Sequence, residues 1–204
     1  MQLRKEIPVA AGLGGGSSDG AAALVGLSRL WGLEFGCDRL LQAAAALGSD
    51  VPFFLYGGTA LVEGRGERVE PLHVHDGPYY LLVNPGFAVS TAAVFRELRP
   101  TEWTDGSRTR ILAAEMAARP NLTVGWNGLQ AALFRLYPCA RECFERVAAL
   151  APGRAIVSGS GPTVIALFPS PEAAYEACRA LAPYGYWRTV TRTAIPEAWQ
   201  TPCA

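Results

Sequence analysis

Pro8-Val9-Ala10-Ala11-Gly12-Leu13-Gly14-Gly15-Gly16-Ser17-Ser18-Asp19-Gly20 joins an apolar lead-in, Leu3 to Val9, to an Ala-rich stretch through a run of glycines and two serines. The lead-in reads as a strand. The stretch from about Ser18 to Leu30 reads as a helix, with Leu24, Leu27 and Trp31 at helical spacing and therefore expected in the core. A glycine-rich loop between two such elements can turn several backbone N–H groups inward. The helix behind it adds a positive dipole end of about half an elementary charge. Together these make an anion site, and phosphate is the anion most often held that way. Ser17, Ser18 and Asp19 suit a first helical turn because their side chains can accept hydrogen bonds from exposed amides.

The type of loop can be narrowed. A flexible Gly/Ser linker rarely sits between a strand and an apolar-faced helix at this distance. A GxxxxGK[ST] loop is excluded because no lysine follows the glycines. A dinucleotide fingerprint fits badly, since Ser17 stands where its third glycine belongs. What remains is Pro-x-x-x-Gly-Leu-Gly-x-x-Ser-Ser. In that arrangement the amides wrap the phosphates and a serine hydroxyl reaches a phosphate or its magnesium.

The totals bound the partners. In 204 residues, half of them apolar, a substantial core can be buried, in one large domain or two small ones. Eighteen basic residues balance eighteen acidic ones, which argues against nucleic acid as the main partner. No apolar run approaches the ~20 residues that cross a membrane, and the first residues have no signal-peptide core. Five cysteines, an odd number at irregular spacing, suit a reducing cytoplasm. Cys139 and Cys143 could share a helix face, but no further Cys or His stands nearby to complete a metal set. His73 and His75 alternate in a polar connection and read as solvated.

Further along, a helix is expected from the cap Asp38 to Gly48, and Asp50 at or just before a short helical turn introduced by Pro52. Thr59 to Glu63 and Arg68 to Leu72 read as strands joined by Gly64-Arg65-Gly66-Glu67. Tyr79 to Asn84 is an apolar strand stopped by Pro85-Gly86, and a domain boundary is placed near Pro78, dividing the chain into 1–78 and 79–204. Helices are expected over Thr91–Leu98, Arg110–Ala118, Trp126–Leu136, Ala140–Leu150 and Pro171–Leu181, with Arg99 to Arg108 as a polar loop. Strands are expected at Ala155–Val157, Val164–Phe168 and Tyr186–Thr193, the first two flanking Ser158-Gly159-Ser160-Gly161-Pro162. The mixture predicts an α+β fold.

Four blocks then act together: Ile7 to Asp19, Leu47-Gly48-Ser49-Asp50-Val51-Pro52-Phe53-Phe54, Gly57-Gly58-Thr59-Ala60 and Gly64-Arg65-Gly66-Glu67. With Pro85-Gly86, Ser90-Thr91, Phe95 and the Ser158 to Gly161 turn, they resemble the GHMP kinase superfamily along essentially the whole chain. The branch most similar phosphorylates the 2-hydroxyl of a cytidine-diphosphate-linked methylerythritol on the non-mevalonate isoprenoid route. The Gly14-Gly15-Gly16 run and the Phe53-Phe54 pair argue against the homoserine and mevalonate branches. A non-catalytic nucleotide-binding module is a third alternative.

The resemblance implies a particular architecture: an N-terminal α/β domain like ribosomal protein S5 domain 2, here incomplete, then a ferredoxin-like C-terminal domain. It implies a cytoplasmic enzyme using ATP and Mg2+ on a small-molecule substrate. Pro8, Gly12, Leu13, Gly14, Gly15, Gly16, Ser17 and Ser18 would hold the phosphates, with Ser18 reaching the metal. Asp50 would be the general base, and Ser158, Gly159, Ser160 and Gly161 would pack against the loop and border the substrate. Asn127-Gly128-Leu129-Gln130 stands where the family has Asn-Asp-Leu-Glu, and Pro162-Thr163 where it has a small pair. Family members also carry Ala-Lys-x-Asn and Asp-Gly-Tyr-His blocks ahead of the loop. Neither occurs here, and Lys5 is the only lysine. The expectation is a shortened kinase, poor as a catalyst, with an open sheet edge at Leu3–Val9 that favours association.

Overall fold

The computed structural model describes residues 2–33, 35–72, 77–118 and 125–193. His73, His75 and Cys203 lie outside the described residues. The chain divides into two compact units: Met1–Leu13, Asp76–Leu112 and Asn121–Thr193 in one, and Gly14–His75, Ala113–Pro120 and Ala194–Ala204 in the other.

The unit that begins at Gly14 is built on helices α1 (Gly15–Leu30), α2 (Cys37–Leu47) and α3 (Phe53–Tyr56), followed by a hairpin of β1 (Thr59–Glu63) and β2 (Arg68–Leu72). Both hairpin strands have the boundaries their alternation predicts, and Glu63 pairs with Arg68 at the turn. Ala21 and Val25 of α1 pack with Leu40 and Ala44 of α2 and with Val51 and Leu55. This stripe is offset from the expected one: Leu24 and Leu27 are half-buried, and Trp31 is 64% exposed. The small side chains of Ala21 and Ala44 let α1 and α2 approach closely. The larger leucines flank that seam, and Trp31 lies beyond the last helical residue.

The other unit is organised by a four-stranded sheet of β3 (Tyr79–Asn84), β4 (Ala155–Val157), β5 (Val164–Phe168) and β6 (Trp187–Arg192). The spatial order is β4-β5-β3-β6 and every pair is antiparallel. Between β3 and β4 the chain forms α4 (Thr91–Glu97), α5 (Ser107–Ala118), α6 (Gln130–Leu136) and α7 (Pro138–Leu150); α8 (Pro171–Ala180) joins β5 to β6. Strand β5 thus inserts between β3 and β4, the split β-α-β arrangement of a ferredoxin-like domain. Leu81 and Val83 of β3 face Val147 and Cys143 of α7 and Ala174 and Ala177 of α8, all buried. A second cluster, with Val94, Ala132, Leu133, Ala140 and Val157 at its centre, ties α4, α6 and α7 to the end of β4.

Several expectations need correction. Leu3–Val9 is not a strand. A strand persists only where a neighbour takes its ladder bonds, and among the described residues no strand pairs with it. Helix α1 starts at Gly15 rather than Ser18, and α2 starts at Cys37 with Gly36 as its cap, leaving Asp38 in the first turn. The polar segment after Arg99 holds a short 3-10 turn, Pro100–Glu102, and α5 opens at Ser107. Helix α6 starts at Gln130 rather than Trp126, because the Asn127 side chain bonds the Leu129 amide and holds the preceding residues in a turn. Pro138, well placed for a first helical turn, opens α7 two residues early.

One ion cluster ties α6 to α4 and the 3-10 turn. The Arg135 guanidinium donates to Glu97 Oε1 at 2.8 Å and to both carboxylate oxygens of Glu102 at 2.7 and 2.8 Å. The Arg135 hydrogen bonds, chiefly, hold the Glu102 carboxyl down at about 2, from an ordinary 4.5. A depressed carboxylate stabilises the fold fully above its unfolded value and loses that contribution as pH falls through the folded one. Glu102→Gln is therefore expected to be less stable than the wild type at pH 6, with the gap closing between pH 4.5 and about 2; denaturant titrations across that window would measure it. In the sheet, Leu81 is fully buried. Leu81→Ala removes its contacts and leaves a cavity, with an expected loss of about 2–5 kcal/mol, read as a lowered urea midpoint.

Candidate active site

The first part of the glycine-rich segment belongs to the sheet unit. The Ala10 carbonyl accepts from Val89 N at 3.4 Å and the Ala11 carbonyl from Thr163 N at 3.3 Å. The Ser158 hydroxyl donates to the Gly12 carbonyl at 2.8 Å. Gly12 has φ +75°, and a Cβ there would overlap the Ser158 carbonyl oxygen and stand 3.0 Å from the Gly161 backbone. Only glycine meets both demands. Pro8 and Leu13 are half-buried on either side.

The turn that receives Gly12 is itself closed by hydrogen bonds. Ser158 N donates to Thr163 O at 2.9 Å and Gly161 N to Ser158 O at 2.8 Å. Ser160 is 8% exposed, and its hydroxyl lies 2.9 Å from that of Thr91, the first residue of α4. The buried Asn84 amide donates to Thr163 Oγ1 at 2.9 Å. Asn127 Nδ2 donates to the carbonyls of Val157 and Gly159, both at 2.8 Å. Ser158, Gly159, Ser160 and Gly161, picked out from sequence, thus form one turn against Gly12. From sequence, Asn127 reads only as part of a family block at a helix start, with no site role; the Asn-x-x-Gln spacing carried the signal, since Gln130 Oε1 also accepts from Val157 N at 3.1 Å.

The rest of the segment belongs to the helical unit. Gly14 takes the cap position of α1 in a left-handed conformation, and no side chain caps the helix. Ser18 N closes the first helical bond to Gly14 O at 2.9 Å. The amides of Gly16 and Ser17 thus fall in a first turn without intrahelical acceptors, and no acidic residue stands in that turn. Gly15 is buried, Gly16 exposed, Ser17 and Ser18 half-buried. The serines were expected to accept from first-turn amides. Instead the Ser18 hydroxyl donates backward to Gly15 O at 3.0 Å, leaving its oxygen lone pairs as acceptors. An open, dipole-positive helix end without a side-chain cap suits an anion.

Asp50 lies in the turn between α2 and α3 of this same unit, where the sequence places it. Val51 N bonds Gly48 O at 3.2 Å and Phe54 N bonds Val51 O at 3.1 Å. Val51 and Pro52 are buried, whereas Asp50 is exposed. The Phe54 ring reaches the loop: a Cβ on Gly14 would stand 2.8 Å from its Cζ. From the opposite side the hairpin closes down on Ser49. Gly66 is buried at φ +114°, and a Cβ on it would overlap the Ser49 carbonyl. The Glu67 carboxylate accepts from Arg65 N at 2.6 Å and pins that turn; backbone hydrogen bonds, its own amide's first, lower its carboxyl below the ordinary range. Ala45, Ser49, Pro52, Arg65 and Glu67 line a cavity of about 230 Å³ beside the Asp50 turn.

The cysteines offer no competing chemistry. Burial pushes the Cys143 thiol up to about 12, so it stays protonated, and among the described residues no group of His, Cys, Asp and Glu could hold a metal. Cys139, Cys143 and Cys178 are free, whereas Cys37 is disulfide-bonded, which the odd count and irregular spacing had not suggested. No helix among the described residues is long and apolar enough to cross a membrane.

Comparison with known proteins places the chain in a family. Residues 1–58 match the GHMP kinases N terminal domain and residues 107–186 the GHMP kinases C terminal domain. The 4-diphosphocytidyl-2-C-methyl-D-erythritol kinase of Geobacter metallireducens is 40% identical over 198 residues, covering 96% of this chain and 69% of that one. The enzyme of the same name from Pelotomaculum thermopropionicum is 40% identical over 201 residues, 97% of this chain and 70% of that one. A crystal structure of 4-(cytidine 5'-diphospho)-2C-methyl-D-erythritol kinase superposes with a TM-score of 0.76 at 35% identity, covering 95% of this chain and 70% of that one. A homoserine kinase from Cytophaga hutchinsonii shares the fold, with a TM-score of 0.73 at 22% identity, covering 94% of this chain and 68% of that one. With its glycine-rich loop, its Asp-Val-Pro-Phe-Phe turn and relatives of this identity and extent, the chain belongs to the GHMP kinases, in the family of the 4-diphosphocytidyl-2-C-methyl-D-erythritol kinases.

Proposed function

We propose that this chain transfers the γ-phosphoryl group of ATP to the 2-hydroxyl of 4-diphosphocytidyl-2-C-methyl-D-erythritol, with Asp50 as general base. The observation that carries the roles is the pairing, inside one unit, of an uncapped helix N-terminus at Gly14 with the exposed carboxylate of Asp50, the two linked by the Phe54 ring against Gly14. The names of the 40%-identical relatives support the substrate.

Phosphoryl transfer asks the protein for charge stabilisation, alignment and a proton acceptor. The amides of Gly16 and Ser17 and the dipole of α1 oppose the negative charge of the phosphates. The family resemblance assigns Pro8, Gly12, Leu13 and Gly14 to the same phosphate loop, and within the sheet unit the Ser158 to Gly161 turn fixes Gly12. The acceptor hydroxyl gives its proton to the Asp50 carboxylate. Its oxygen forms the new bond to the γ-phosphorus as the bond from that phosphorus to the β–γ bridging oxygen breaks, and ADP leaves.

Magnesium, when bound, neutralises phosphate charge. The residues here fit it in one respect: the Ser18 oxygen keeps lone pairs for a hard cation while its proton is directed to Gly15 O.

Asp50→Asn keeps the size of the side chain and removes the proton acceptor. A positioned base contributes about 10²–10⁴ in rate, so kcat is expected to fall on that scale, with ATP affinity within threefold of wild type by calorimetry. An Asn variant with near-wild-type turnover removes Asp50 from its role. ADP release is expected with the cytidylated methylerythritol and not with homoserine or mevalonate; release driven equally by either of the latter overturns the substrate assignment.

A further inference from the structure

We infer that Asn127 is a positioning residue for the nucleotide site: it holds the Ser158–Gly161 turn in the one placement that lets that turn carry Gly12. The inference rests on the phosphate-loop reading above and goes beyond it, because Asn127 lies far along the chain from the loop. Its side chain uses all its principal hydrogen-bonding groups. Both Nδ2 protons are spent, one on the Val157 carbonyl and one on the Gly159 carbonyl, each at 2.8 Å. Oδ1 accepts from Leu129 N at 2.9 Å, which fixes the amide plane and its orientation.

The two carbonyls it grips lie on either side of Ser158. Ser158 is the residue that reaches Gly12, through the hydroxyl at 2.8 Å and through a carbonyl that leaves no room for a Cβ on Gly12. Gly159 is exposed and has no side chain with which to anchor the turn, although its backbone lies close enough to Gly12 that an added Cβ would stand 3.3 Å from Gly12 O. The other side-chain supports bind different atoms, Gln130 on Val157 N, Thr91 on the Ser160 hydroxyl and Asn84 on Thr163, while the Ser158 main chain donates to Thr163 O and accepts from Gly161 N. Among the described residues, Asn127 alone ties both neighbours of Ser158 to one rigid group. All of these residues belong to the sheet unit, and Gly12 is joined to the rest of the proposed phosphate loop only by the continuity of the chain through Leu13.

The physical consequence is a loss of pre-organisation when the amide is removed. Two carbonyls lose donors and the turn gains alternative placements. Gly12 is then held by a hydroxyl whose own position fluctuates, and ATP must select the competent fraction.

The test measures Mg-ATP affinity by calorimetry in a double-mutant cycle of Asn127→Ala and Ser158→Ala on the whole chain, each variant checked for folding by circular dichroism. Asn127→Ala alone is expected to weaken ATP tenfold or more, and Ser158→Ala by a similar factor. If Asn127 acts through Ser158, the double variant is little weaker than either single one, whereas a general loss of stability would give additive effects. Wild-type affinity in Asn127→Ala, or additive losses in the double variant, overturns the inference. Should the Ala variant not fold, Asn127→Ser, which keeps one donor, goes through the same cycle under the same criteria. A wild-type chain without measurable ATP binding overturns the phosphate-loop reading itself, and this inference with it.

Discussion

The contact of Gly12 with the Ser158–Gly161 turn is the constraint on which the first half of the candidate site depends. It is backbone against backbone: a carbonyl fills the space that any side chain on Gly12 would need, and a single hydroxyl bond, Ser158 to Gly12 O, locks the register. Packing of this kind tolerates no adjustment, because main-chain atoms cannot change rotamer. The hydrophobic cluster around Leu133 and Val157 then matters for function as well as stability. It fixes the end of β4, and the Ser158 turn leaves the sheet directly from there.

The helical unit solves its own positioning problem by the same means. For the proposed role as base Asp50 must be exposed, yet an exposed side chain on a free turn would wander. Its neighbours remove that freedom. Val51 and Pro52 are sunk in the core, and Ser49 is pressed by Gly66 with no space between them. The carboxylate therefore stands on a turn held from two sides while remaining in solvent. The uncapped start of α1 complements it. A side chain capping α1 would consume the amides that an incoming phosphate needs, and Gly14 supplies none.

Much of this was legible in the sequence, and the misses have physical reasons. Strands β1, β2, β3, β4 and β5 have the residue limits read from apolar alternation and from their Gly and Pro stops, because both signals are local. The glycine loop, the Asp50 turn and the GHMP kinase resemblance were likewise visible. Leu3–Val9 has strand-like composition but no partner among the described residues, and pairing is not a local property. The early start of α1 was hidden because glycine has poor helix propensity; here the left-handed cap at Gly14 overrides it. Leu24 packs against the core cluster at its flank, whereas Trp31 misled the core assignment, since helical spacing reports a face but not which seam of that face the neighbouring helix fills. Asn127 and Gly66 act on residues 32 positions and more than a dozen positions away; the Asn-x-x-Gln spacing marks a polar pair but not the turn it holds, and nothing beside Gly66 marks Ser49.

A common logic connects Gly12 on Ser158 with Gly66 on Ser49. In both places a glycine with positive φ lets one main chain press on another beside a residue assigned to the chemistry. The alternative, holding such a turn with large side chains, would crowd the surroundings of each turn, where the proposed phosphate and acceptor sites lie. Small residues keep the site open, and carbonyl-to-glycine packing keeps it stiff. The cost is sensitivity at positions that carry no reactive group. A methyl group added at either glycine strikes backbone and must move the turn, whereas a methyl added at Gly16, where nothing lies within 4 Å, strikes nothing. Restriction to glycine thus follows close backbone approach rather than proximity to the phosphate, and it separates the residues that shape this site from those that merely line it.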